Sequence, residues 1–167
     1  MNANQIYNIH LLAKKGTQVV SGSDAKVKFN FDWNLLPKGK YKASFTFLGA
    51  KNVLLGENLC LVYCNLGNSK SFEATGSTSA QTSNILGHLF PSSLSANNTS
   101  VNYLYAKLNT NSPIIIDSLP VTNEIVIELL NNAVPPVPFL DENSFAVQPV
   151  GSDRGWVLSL SLEHLGN

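Results

Sequence analysis

The side chains in this sequence that could do chemistry are few and scattered. His10, His88 and His164 lie far apart, each beside a leucine. A lone histidine among apolar residues is more often a structural side chain than a ligand or a base. Asp141 and Glu142 sit in a proline-rich stretch, and Asp153 and Arg154 in a later turn. Two carboxylates facing each other across a cleft would be the equipment of glycoside hydrolysis, but acidic residues beside glycine and proline are mostly turn formers. There is no Gly-x-Ser-x-Gly elbow, no phosphate-binding glycine loop and no His-Glu-x-x-His. The expectation is a protein that is not an enzyme and has no catalytic, cofactor-binding or metal-binding residues.

The cysteines agree with that expectation. Cys60 and Cys64 stand four apart in ENLCLVYCNL, a strand-like run. On one face of a strand they would lie roughly 13 Å apart, beyond disulfide reach. No histidine or acid nearby has ligand-like spacing, so both are expected to be buried, reduced thiols.

Composition narrows the function class. Apolar residues make up 44% of the chain and charged residues 13%, about half the usual share. Eleven basic side chains balance eleven acidic ones, and Arg154 is the only arginine. Nucleic-acid binding through phosphates needs a concentrated positive footprint, and none is present. No apolar run approaches the ~20 residues that span a bilayer. The opening MNANQIYNIHLLAKKG lacks the charged start and long apolar core of a secretory signal, so the chain is expected to begin in the cytosol. A surface rich in Asn, Ser and Thr but poor in net charge does little to keep copies apart.

The elements read as strands. In AKVKFNFDWNLLPKGKYKASFTF, Val27, Phe29, Phe31 and Trp33 alternate with polar residues. After a Pro37–Gly39 turn, Tyr41, Ala43, Phe45 and Phe47 do the same. Further strands are expected over 58–65, 69–74, 101–108, 113–117, 124–129 and 156–162, about eight in all. No amphipathic helix exceeds two turns. Many short strands with Gly, Pro and Asn between them predict an antiparallel sandwich or barrel. The expected core is Val27, Phe29, Phe31, Tyr41, Phe45, Phe47, Leu59, Leu61, Ile125, Ile127, Leu158 and Leu160.

Two connections are long: 74–100, with an apolar island at Ile85, Leu86, Leu89 and Phe90, and 131–155, which holds Val134, Pro135, Pro136, Val137, Pro138 and Phe139. Loops of this length are usually functional or disordered. Apolar side chains on them either cover the domain's own core or meet another subunit. These ten residues are the candidate subunit interface. Residues 1–24 are expected to form an N-terminal segment ordered by contacts, and 25–167 a single domain.

The blocks FNFDWNLLPKGKYKASFTFLG, PIIIDSLPVTNEIVIELLNN and SFAVQPVGSDRGWVLSLSLEHL resemble, in strand order and texture, single jelly-roll capsid proteins of icosahedral DNA viruses and virophages, their penton and minor capsid proteins. The resemblance implies an all-β, eight-stranded, antiparallel jelly-roll sandwich with two long loops. It implies a structural component of a virion that acts by subunit association: a homo-oligomer, a pentamer if at a vertex, that also meets other capsid proteins. It would be made and assembled in the host cytoplasm, touch no nucleic acid directly and span no membrane. The alternative is a carbohydrate- or receptor-binding β-sandwich head, with Trp156 or Tyr103 stacking on sugar rings.

Overall fold

The computed structural model describes residues 5–19, 25–51, 60–66, 72–73, 81–82, 84–92, 102–107, 114–131 and 156–166. Among them the regular structure is strands and two single 3-10 turns. The strands are β1 (Ile6–Leu12), β2 (Thr17–Gln18), β3 (Lys26–Asn30), β4 (Lys40–Lys51), β5 (Cys60–Cys64), β6 (Phe72–Glu73), β7 (Gln81–Thr82), β8 (Ile85–Ser92), β9 (Asn102–Lys107), β10 (Ile114–Ile116), β11 (Glu124–Asn131) and β12 (Trp156–Gly166).

Nine strands pair in succession through a sandwich, where eight were expected, and β10 adds a tenth at its side. One sheet has the order β1-β12-β4-β9, with β10 beside the start of β4. The other has the order β2-β3-β11-β5-β8, and β6 pairs with β7 apart from both. All described pairings are antiparallel. Setting aside the two-residue edge strand β2, four strands face four, and sequence neighbours repeatedly fall in opposite sheets. This is the jelly-roll order, two Greek keys wrapped face to face.

Alternation makes the layers. Tyr41, Ala43, Phe45 and Phe47 of β4 and Trp156, Leu158, Leu160 and Leu162 of β12 are buried from one side. Val27, Val62, Ile125, Ile127 and Leu129 are buried from the other. Trp156 joins the layers. Its ring stacks on Phe47 at 5.6 Å within its own sheet and meets Phe29 of the facing sheet edge-on at 6.0 Å. On the wet faces, Lys26–Glu128, Lys28–Glu124 and Lys42–Glu163 join neighbouring strands at 3.1, 3.7 and 3.6 Å. Exposed pairs of this kind contribute at most about 1 kcal/mol each, yet they favour one register over its neighbours.

The structure departs from the sequence reading in four places. First, residues 1–24 hold a strand that the sequence reading did not include: Ile6–Leu12 pairs along its length with β12. Second, β3 stops at Asn30 and Trp33 lies on a 3-10 turn, Trp33–Leu35. The Asp32 carboxylate accepts hydrogen bonds from the backbone and side-chain nitrogens of Asn34, a local pull that outcompetes the ladder. Phe31, beyond the end of the strand, is only partly buried against the core, and so is Phe29 within it. Third, Ile85–Phe90 is strand, not loop. Ile85 to Leu89 pairs with β5, Phe90 to Ser92 pairs with β9, and so β8 carries the chain from one sheet into the other. The β5 register skips Leu86, a bulge that turns this side chain into the core at 5% exposure. The bulge breaks the two-residue period and hides the strand from pattern reading. Fourth, β12 runs on to Gly166, past the expected end at Leu162. Leu59 and the 131–155 connection lie outside the described residues, apart from Asn131 at the end of β11.

Phe47 is fully buried and stacked on Trp156. Phe47→Ala should cost about 3–5 kcal/mol of unfolding free energy, read as a fall in the urea midpoint. A loss below about 1 kcal/mol would mean that the two rings do not tie the sheets together.

Candidate functional site

Among the described residues, the side chains with chemical potential are not gathered into one cluster. His88 has its strand placed, but its side chain lies outside the described residues, as do Asp141, Glu142, Asp153 and Arg154. His10 lies on the outer face of β1, with Nδ1 2.8 Å from the Ser159 hydroxyl of β12. A serine and a histidine at this distance are the start of a nucleophile and its base. The pair stands on a flat, exposed sheet face. The β12 backbone runs between β1 and β4 and is paired on both sides, so its N–H groups are committed to ladders and cannot hold an oxyanion. Among the described residues no three His, Cys, Asp or Glu side chains form a metal-binding group. No helix of the described residues is long and apolar enough to cross a membrane.

A cleft of about 550 Å³ opens at one end of the sandwich, between the turn entering β4 and the turn between β10 and β11. The sequence places the first wall through Asp32, whose cap starts the 3-10 turn that presents Trp33. The Trp33 ring is buried at 4% exposure and packs edge-on against Phe31 at 4.8 Å. Its indole N–H donates to the Thr122 carbonyl at 3.0 Å, and the Phe31 N–H donates to the Asn123 carbonyl at 2.7 Å. These two bonds tie the walls together. Asn34, Lys38, Asp117, Ser118 and Asn123 supply polar groups, while Leu36, Leu119 and Val121 supply apolar ones. Lys40 faces Asp117 at 3.9 Å and offsets that carboxylate, while Lys38 gives the rim one further positive charge. Such a lining can hydrogen-bond a neutral polar ligand, and its size is in the range of small-molecule sites.

The floor near Lys38 is braced from β12. The His164 Nε2–H donates to the Lys38 carbonyl at 3.1 Å, the His164 ring lies against Tyr41 at 5.0 Å, and the Tyr41 hydroxyl donates to the Pro37 carbonyl. Gly39 makes this fit possible. Its φ is 141°, and a Cβ there would stand 2.5 Å from His164 Nε2 and 2.7 Å from the Gly166 carbonyl oxygen. The sequence pattern predicts only a turn at Pro37–Gly39. The available signal was the Pro-Lys-Gly tripeptide, but the histidine it rests on is 126 residues away.

Of the candidate interface residues, Leu86 is part of the core cluster and Ile85 is half-buried. Leu89 and Phe90 are placed only as strand positions. Val134, Pro135, Pro136, Val137, Pro138 and Phe139 lie outside the described residues. Trp156, offered as a sugar platform, is 2% exposed. Exposed apolar side chains occur elsewhere. One row crosses the outer face of the first sheet, where Leu12, Val157 and Leu48 are successive cross-strand neighbours, with Val157 38% and Leu48 51% exposed. Cys64 is a free, buried thiol pushed up to about 12 by burial. The side chain of Cys60 lies outside the described residues. No protein-family model matches this chain, and no curated protein matches it.

Two outcomes follow from this geometry. Gly39→Ala should destabilise the chain by at least about 1–3 kcal/mol through backbone strain alone, with the thermal midpoint falling accordingly. Cys64 and Tyr41 both have raised folded values, Tyr41 through burial first and then the nearby Tyr7. Raised acids leave stability intact below their unfolded values, about 9 for the thiol and 10 for the phenol. Stability is then lost as pH climbs, because only the unfolded chain ionises. Between pH 9 and 12 the thiol should cost about 1.4 kcal/mol per pH unit. Cys64→Ala should flatten that alkaline limb in urea titrations; an unchanged slope would show that the thiol does not set it.

Proposed function

We propose that this chain is a structural subunit of an icosahedral viral shell, a penton or minor capsid protein that acts by association and not by catalysis. The observation that carries the reading is the strand order, β1-β12-β4-β9 against β3-β11-β5-β8. A rigid jelly-roll wedge presents turns at its ends and two neutral faces to its neighbours. Supporting it, Lys26, Lys28, Lys40 and Lys42 each face a carboxylate. That arrangement leaves little concentrated positive charge on the described strands and suits a shell protein that does not grip the genome. The Leu12–Val157–Leu48 row, with Val157 and Leu48 exposed, is a surface that association would cover, and the 134–139 sequence is apolar enough to be a candidate for the same role. The protein would work in the virion after assembly in the host cytoplasm, meeting copies of itself and other capsid proteins.

A second reading, a carbohydrate- or receptor-binding head, is favoured by one observation. The cleft between Asn34 and Asn123 offers amide, hydroxyl and apolar groups together. On that reading Asn123→Ala would abolish glycan-array binding. On the capsid reading the variant is silent.

Electron microscopy of the expressed protein, alone and with other shell components, tests the first reading. The expected result is closed oligomers or particles that contain it. Phe139→Asp should keep native circular dichroism and lose incorporation, because an unpaired charge in a dry apolar contact costs several kcal/mol. Normal incorporation would remove 134–139 from the interface. No binding of DNA or RNA is expected at physiological salt in gel shift.

A further inference from the structure

β1 is the outer strand of its sheet, and among the described residues only β12 pairs with it. The His164 N–H donates to the Gln5 carbonyl, which makes those two residues a hydrogen-bonded pair. Antiparallel pairs alternate, so Tyr7, Ile9 and Leu11 bond β12 in the same way. Ile6, Asn8, His10 and Leu12 turn their N–H and C=O groups to the open side. Natural sheets protect such an edge with lysine, proline or a bulge. This strand reads IYNIHLL and runs against β12 without a register shift. It has none of the three, and Ile6 is 60% exposed.

We propose that this edge pairs with the same edge of a second copy of the chain, antiparallel, about a two-fold axis at Ile9. The strand is a palindrome in chemistry about that residue. Ile6 faces Leu12 of the partner subunit, and Asn8 faces His10 of the partner subunit. Symmetry repeats both contacts with the copies exchanged. These pairs join residues whose backbone groups point outward on both strands, so each exchanges two backbone hydrogen bonds. Between them, Tyr7 faces Leu11 of the partner subunit, and Ile9 faces Ile9 of the partner subunit, apolar against apolar. A slip of one residue sets outward-pointing groups against groups already used by β12. A slip of two loses one bonded pair and sets Ile6 against the partner's His10, or Asn8 against the partner's Leu12. The register is therefore fixed by hydrogen-bond phase and by side-chain type together. Asn8 and His10 are already held on one face by Ser161 at 2.7 Å and Ser159 at 2.8 Å, so little further ordering is needed. An isologous contact of this kind closes at two copies and runs β1, β12, β4 and β9 of each subunit into one continuous sheet. It holds whether or not the chain serves a viral shell.

Sedimentation equilibrium of the full chain over a concentration series tests the association. The expected mass rises to twice the 18.1 kDa of one chain. Asn8→Pro removes an outward N–H and blocks the edge while leaving the β12 ladder its bonds. It should sediment as a monomer with unchanged circular dichroism. If Asn8→Pro does not fold, the double variant Ile6→Lys, Asn8→Lys makes the same test with charge on exposed positions. Register is read by oxidative crosslinking. Asn8→Cys chains mixed with His10→Cys chains should crosslink well above wild-type background, and neither variant alone should, because only the mixed pair comes within disulfide reach. A wild type that stays monomeric to its solubility limit overturns the proposal, as does a folded edge variant that still dimerises or crosslinking that ignores the mixture.

Discussion

The last strand of the chain lies between the first and the fourth, and the rest of the fold depends on that insertion. β12 bonds β1 from Leu12 to Ile6 and β4 from Gly49 to Lys40. It also delivers Trp156, Leu158, Leu160 and Leu162 to the core. Without it the first sheet is two separated edges. The contacts join residues about 150 positions apart, as in His10 to Ser159 and Asn8 to Ser161. Loop closure on that scale comes before any reward, so folding is slow and late by nature.

The ends of β12 do different jobs. Its start carries Trp156, which touches Phe47 of its own sheet and Phe29 of the other. Its end carries His164, which holds the Lys38 carbonyl and so braces the turn that walls the cleft. The same strand therefore locks the sheets at one end and shapes a surface at the other. Trp33 repeats the logic on a smaller scale, with a buried ring for the core and an indole N–H for the Thr122 carbonyl. In both places an aromatic or imidazole ring couples packing to a specific polar bond, which is how a turn gains a single conformation.

Where one face of a strand is buried and the backbone is regular, the sequence was enough to find it. The 40–47, 124–129 and 156–162 runs keep an apolar residue at every second position because each lies inside a sheet with one inward face. The failures share a cause. β8 carries a bulge at Leu86 and passes from β5 to β9 after Leu89, so its two-residue period is broken. β1 alternates correctly at Tyr7, Ile9 and Leu11, but only its pairing with the far end of the chain shows that it belongs to the sheet. Trp33 continues the arithmetic of β3 and leaves the strand because one carboxylate, Asp32, offers the backbone a shorter-range bargain. The cleft was unreadable for the same reason as β1, since its walls come from residues near 35 and near 120. Charge was more transparent. The even balance of acids and bases became cross-strand pairs at chosen registers.

Those pairs explain how a surface so poor in net charge still specifies one structure. Each ion pair contributes little free energy, but a one-residue slip of β11 against β3 would set Lys26 and Lys28 opposite the inward apolar residues of β11. Register is enforced by many small penalties, and the core supplies the stability. The outward rows of the first sheet grade from Lys42 and Glu163 at one end, through Ser44, Ser161 and Asn8, to Leu48, Val157 and Leu12 at the other. A face graded in this way has no long-range repulsion against a copy of itself, because the formal charge of the chain is zero. Which neighbour it accepts is then decided at contact distance, by row matching and by the hydrogen-bond phase of its edges. These are the properties that a strand without lysine, proline or bulge leaves open at β1.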